Sequence, residues 1–112
     1  MEGNEVIDAG TLSSDKPISI FGNDIINKIT ELNNKINTFK RNNEGKIDNG
    51  FDLSLKDIES KINKISYKVN IEIKPNDTIY SKALEDLYLI EYCKSTLETL
   101  ISSFSVIKTL GE

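Results

Sequence analysis

Histidine and tryptophan are absent from this 112-residue chain, cysteine occurs once, and proline only twice. Without histidine, the commonest general base and the commonest metal ligand are both missing. A single thiol, Cys93, excludes an intrachain disulfide and any metal site built from several cysteines. It stands in Glu91-Tyr92-Cys93-Lys94, where one cation alone is at hand to lower its pKa. We therefore read Cys93 as a small apolar residue on a helix, not as a reactive thiol. There is no Gly-rich phosphate loop, and no serine has a histidine to activate it. An enzyme is not expected, and neither is a cofactor or metal.

Long hydrophobic runs are missing too. No stretch approaches the ~20 apolar residues of a membrane span. The opening Met1-Glu2-Gly3-Asn4-Glu5 lacks the basic and apolar regions of a cleavable signal peptide, so any export is expected by another route. Apolar residues make up 38% of the chain, below the ~45–50% usual in globular domains, an average that also counts glycine. So thin a core is expected to be completed partly by a neighbouring subunit.

Charge is uneven along the chain. Residues 1–24 carry one base against five acids, residues 25–74 ten bases against seven acids, and residues 75–112 three bases against six acids. A net charge of −4 with only a mildly basic middle argues against nucleic acid as a partner. A basic segment between two acidic ones suits head-to-tail contact between copies, or folding of the chain back on itself.

Residues 1–22 are polar and acidic and are expected to be disordered, apart from the patch Ile18-Ser19-Ile20-Phe21. That patch is read as a staple on the helix that follows, with a short docking strand as the alternative. From about Asp24 to Arg41 the apolar residues Ile25, Ile29, Leu32, Ile36 and Phe39 step by four and three, which forms one narrow seam on a helix. Asn23 or Asp24 is the expected N-cap, and Lys40 and Arg41 suit the C-terminal dipole. Residues 42–53 are read as a loop from their Asn and Gly content. A shorter helix is expected from about Ser54 to Ser66 on Leu55, Ile58, Ile62 and Ile65.

From Tyr67 to Ile73 the period becomes two, which points to a short extended segment; a helix continuing to Pro75 is the rival reading. Pro75-Asn76-Asp77 is the expected hinge, with Asn76 or Asp77 capping a long helix from about Thr78 to Leu110. Its seam is traced through Tyr80, Leu84, Leu87, Ile90 or Glu91, Lys94, Leu97, Ile101, Phe104 and Ile107. The polar patch Lys94-Ser95-Thr96 leaves open whether this helix is continuous. The fold expected is mainly α: an elongated helical hairpin, residues 23–112 forming one assembly domain behind a disordered N-terminus.

Three features together resemble the small axial proteins of bacterial type III secretion systems, and among them the inner rod protein. They are the central helix Asp24–Lys40, the Pro75-Asn76-Asp77 hinge before a helix running to the chain end, and the ending Val106-Ile107-Lys108-Thr109-Leu110-Gly111-Glu112. The needle subunits of the same apparatus look similar around Lys74-Pro75-Asn76-Asp77 and Tyr80–Tyr88, but are usually shorter; length and ending favour the rod. The loop at 42–53 and the alternating 67–73 depart from both patterns. The resemblance implies a homo-oligomer exported by the type III route, with the N-terminal residues as its secretion signal. It would assemble inside the basal body as an adaptor between export gate and needle. On that view Leu84, Leu87, Leu97, Leu100, Ile101, Phe104, Ile107 and Leu110 form the subunit interface. A helical secretion chaperone that clasps one foreign helix is the alternative from another class.

Overall fold

A computed structural model describes residues 18–111, with side chains to residue 106. In order, the elements are β1 (Ile20–Phe21), α1 (Gly22–Asn42), α2 (Asn49–Asn63), β2 (Glu72–Ile73) and α3 (Tyr80–Gly111). The mainly helical fold and the long C-terminal helix agree with the sequence pattern. The expected disorder and secretion signal fall, up to residue 17, outside the described residues.

Helix α1 presents the expected seam: Ile25, Leu32, Ile36 and Phe39 are buried, and Ile29 packs against them half-buried. Its start differs from expectation. Phe21 holds the N-cap position in extended conformation and makes no side-chain cap bond, so neither Asn23 nor Asp24 caps. One early amide is satisfied from elsewhere, since the Gly22 N–H donates to Ile71 O at 2.9 Å. At the other end Asn43 closes the helix, its backbone and side-chain N–H groups both donating to Phe39 O.

The loop expected over 42–53 is much shorter. Asp48 accepts from Phe51 N at 2.8 Å and caps α2 from Asn49 onward, five residues before Ser54. An N-cap followed by Asp52 in the first turn outweighs the turn preference of Asn49-Gly50. Gly45, at φ +81°, makes the remaining turn. Helix α2 then ends at Asn63, not Ser66, on a tight turn from Ile65 N to Ile62 O.

Of the alternating stretch 67–73, only Glu72 and Ile73 form a strand. Its partner is the patch read as a staple, which is instead a docking strand: β1 pairs antiparallel with β2, Ile20 opposite Ile73 and Phe21 opposite Glu72. Pairing is limited to two residues because β1 passes directly into α1. Ile20 and Ile73 close the core beneath this clasp, 7% and 0% exposed.

Helix α3 starts at Tyr80, two residues later than expected, because Asp77 faces backward. Its carboxylate accepts from Lys74 N at 2.7 Å and closes the Pro75-Asn76-Asp77 turn, while its carbonyl accepts from Tyr80 N at 3.0 Å. The helix is continuous for 32 residues, or about 48 Å. Lys94 and Ser95 do not break it because they lie on its exposed side, while Cys93 and Leu97 carry the seam inside. The buried line passes through Ala83, Ile90, Cys93 and Leu97, so the trace through Leu84 and Lys94 ran slightly off the true face.

The Lys28–Glu91 pair at 3.9 Å and the Lys35–Glu98 pair at 3.5 Å advance by seven residues on both helices, so α1 and α3 run parallel. Helix α2 carries the chain back between them, which gives the expected hairpin a third member. It joins α1 through reciprocal Asn33–Asn63 amide bonds and the Lys40–Glu59 pair at 3.1 Å. Phe39, Phe51 and Phe104 meet near the α1–α2 loop with ring centroids 5.1–5.5 Å apart. The radius of gyration is 18.8 Å, against about 13 Å for a compact domain of ~100 residues.

Candidate functional site

The expected interface residues divide once the fold is known. Leu97 is fully buried within its own chain, so it belongs to the bundle core and not to a free surface. Leu84, Leu87, Leu100, Ile101 and Phe104 are half-buried and pack against that same core. The side chains of Ile107 and Leu110 lie outside the described residues. The seam Ile25, Ile29, Leu32, Ile36 and Phe39 is brought together with Ile90 and Leu97, and the hinge Pro75-Asn76-Asp77 remains exposed at the end of the bundle where β1 pairs with β2.

A different face of α3 points outward. Tyr88, Tyr92, Ser95, Thr99, Ser102 and Val106 step by four and three along one line, and all are exposed. Tyr88, Tyr92 and Val106 retain 71%, 62% and 57% of their accessible surface. The line contains no charged residue over about 27 Å of helix. Its flanking carboxylates, Glu91 and Glu98, are engaged by Lys28 and Lys35 of α1. Tyrosines offer large, rigid apolar area with a polar tip, and small hydroxylated residues let a second helix approach closely. Within the stripe itself there is no ion to be stripped of water when it is covered. This line lies off the seam traced through Tyr80, Leu84, Leu87, Leu97 and Phe104, and the three-four spacing of its Tyr, Ser and Thr residues is its signal in the sequence.

One buried polar cluster lies near the hinge. Asp86, 5% exposed, accepts from the Tyr67 hydroxyl at 2.5 Å and from Lys82 Nζ at 2.7 Å. Burial pushes the Tyr67 phenol well above its ordinary value, and the Asp86 hydrogen bond and charge add to the shift. Both carboxylate oxygens are satisfied, which makes this a structural tie between the 67–71 segment and α3. Cys93 is buried, and desolvation raises its pKa, opposed by Lys61 and assisted by Asp57. A thiol held in that state is a poor nucleophile.

Among the described residues, no group of three His, Cys, Asp or Glu side chains could hold a metal ion, and no helix is long and apolar enough to cross a membrane. The class defined by this geometry is a mainly α three-helix bundle closed by a two-strand clasp. No protein-family model matches the chain, and no curated protein or solved structure matches it.

Proposed function

We infer that the chain is a structural subunit that packs against copies of itself, serving as the inner rod protein of a bacterial type III secretion apparatus. Assembly is supported by one observation above all: the uncharged outer stripe of α3 from Tyr88 to Val106, left exposed by a bundle whose own core is filled. The rod assignment rests on the resemblance at Pro75-Asn76-Asp77 and at the ending Val106 to Glu112. A needle subunit of the same apparatus is its near alternative. In this role the chain is exported by the type III route and meets export-gate and needle proteins inside the basal body. It uses no cofactor, binds no nucleic acid and catalyses nothing.

One observation favours a second reading, a small helical chaperone or binding module. Ile25, Ile36, Leu55, Ile62 and Leu97 are fully buried without any neighbouring subunit, so the single chain is already a closed bundle. Light scattering of the purified chain across a concentration series, with circular dichroism alongside, separates the two. Elongated oligomers that grow with concentration support the rod. A helical monomer or dimer that never grows moves the assignment to the binding module.

A further inference from the structure

Between the end of α2 and the start of α3 lies an open groove of about 420 Å³ with an apolar floor and a basic rim. Ile65, Ile71 and Ile79 form the floor, and Lys64, Lys68 and Lys82 stand along the rim. Lys82 is engaged by Asp86, whose carboxylate is also occupied by Tyr67 and is 5% exposed. Lys64 and Lys68 have no carboxylate partner among the described residues. The groove therefore offers two uncompensated cations beside exposed apolar surface, a combination that selects a segment carrying both acids and apolar side chains.

Such a segment lies in the same chain. Glu5-Val6-Ile7-Asp8 places two adjacent β-branched residues between two carboxylates. The chain arrives beside the groove before it enters α1. Tyr80, next to floor residue Ile79, donates its hydroxyl to Ile18 O at 2.7 Å, and Ser19 Oγ donates to Glu72 at 2.8 Å. Gly22 N–H then donates to the carbonyl of floor residue Ile71. We propose that Glu5-Val6-Ile7-Asp8 docks in this groove of its own chain, Val6 and Ile7 on the isoleucine floor and the two carboxylates toward Lys64 and Lys68.

The tether favours the chain's own segment over that of a neighbour. Nine residues lie between Asp8 and Ile18, and even fully extended these ten residue steps reach no further than about 33–36 Å. So short a linker sets an effective concentration on the order of millimolar, well above that of free copies in dilute solution. Docking is thus closed within the chain at low concentration, whatever the chain does when it assembles.

The test compares amide NMR spectra of the full chain with those of the chain lacking residues 2–8. The expected result is a shift of the Ile65, Lys68 and Ile71 resonances on deletion, with the α1 and α3 core resonances unmoved. Lys64→Glu with Lys68→Glu should produce the deleted-chain spectrum at Ile65 and Ile71, and adding Glu5→Lys with Asp8→Lys should restore the docked one. Glu5→Lys with Asp8→Lys alone, which leaves every described residue unchanged, should also release the groove. Identical groove resonances in the full and deleted chains would overturn the proposal. Groove shifts that fade on dilution would overturn it as well, because they would place a second copy's segment in the groove.

Discussion

Tyr67 donates its hydroxyl to Asp86 at 2.5 Å, across the junction between the non-helical 67–71 segment and α3. Tyr67→Phe keeps the ring and leaves one oxygen of a buried carboxylate without its donor. A loss of about 1–3 kcal/mol in unfolding free energy is expected, read by urea titration with circular dichroism. A variant as stable as the parent would show that water replaces the phenol at no cost.

Alkali should act through the same residue. The folded state raises the Tyr67 pKa, so its contribution is complete below the unfolded value of about 10 and is lost as pH climbs toward the higher folded value. The parent should therefore lose stability above about pH 10 more steeply than Tyr67→Phe, which cannot ionise there. Equal slopes for the two chains would contradict this linkage.

Gly22 admits no side chain. A Cβ at that position would stand 2.1 Å from the Lys68 carbonyl oxygen and 2.7 Å from Ile71 Cγ2, and the first of these is backbone. Gly22→Ala should destabilise by about 1–3 kcal/mol through forced separation of α1 from the 68–71 turn. Gly50 is the control. Its Cβ would meet only Asp48 Oδ1 at 3.5 Å, within helix α2, so Gly50→Ala should be neutral or stabilising by up to about 1 kcal/mol. Equal thermal shifts for the two would argue against the close approach at Gly22.

Substitutions on the two faces of α3 should separate folding from assembly. Leu97→Asp buries a carboxylate without a partner and should unfold the bundle, with loss of helicity. Tyr92→Asp sits on the exposed line and should leave helicity intact while abolishing concentration-dependent growth in light scattering. Growth of Tyr92→Asp like that of the parent would remove the outer stripe from the interface.

Cys93 gives a probe of opening. Buried and with a raised pKa, it should react with a thiol reagent only when the bundle opens. Its rate should rise in Gly22→Ala and Tyr67→Phe by roughly tenfold for each ~1.4 kcal/mol of lost stability. A thiol that reacts at full speed in the folded parent would contradict the packing of α3 on α2.

The α1 seam was legible in the sequence because an isolated apolar line with polar flanks has one solution on a helix. Helix α2 was shortened in expectation because Asn49-Gly50 is also a turn signal, and only the Asp48 cap decides between them. The Pro75-Asn76-Asp77 stop was legible, yet the direction in which Asp77 bonds was not, since its carboxylate can serve either side. Pairing of Ile20 with Ile73 depends on residues far apart in the chain, and two-residue strands carry almost no periodic signal. The outward-facing line Tyr88 to Val106 was not legible for a related reason. Spacing identifies a face, but only packing tells which of two faces on α3 is already covered.

The clasp has a mechanical meaning. Traction applied to the chain ahead of Ile18 does not load the helices first, because force is taken up at Ile18 O by the Tyr80 hydroxyl and at Ser19 by Glu72. The two-residue pairing of β1 with β2 comes next, and the Gly22–Ile71 bond last. These few bonds yield in sequence, each bearing the load alone once its predecessor has broken. Beyond Gly22 the pull meets the first turn of α1, where fully buried Ile25 is tied into the core, so the clasp is the part that gives way before the bundle.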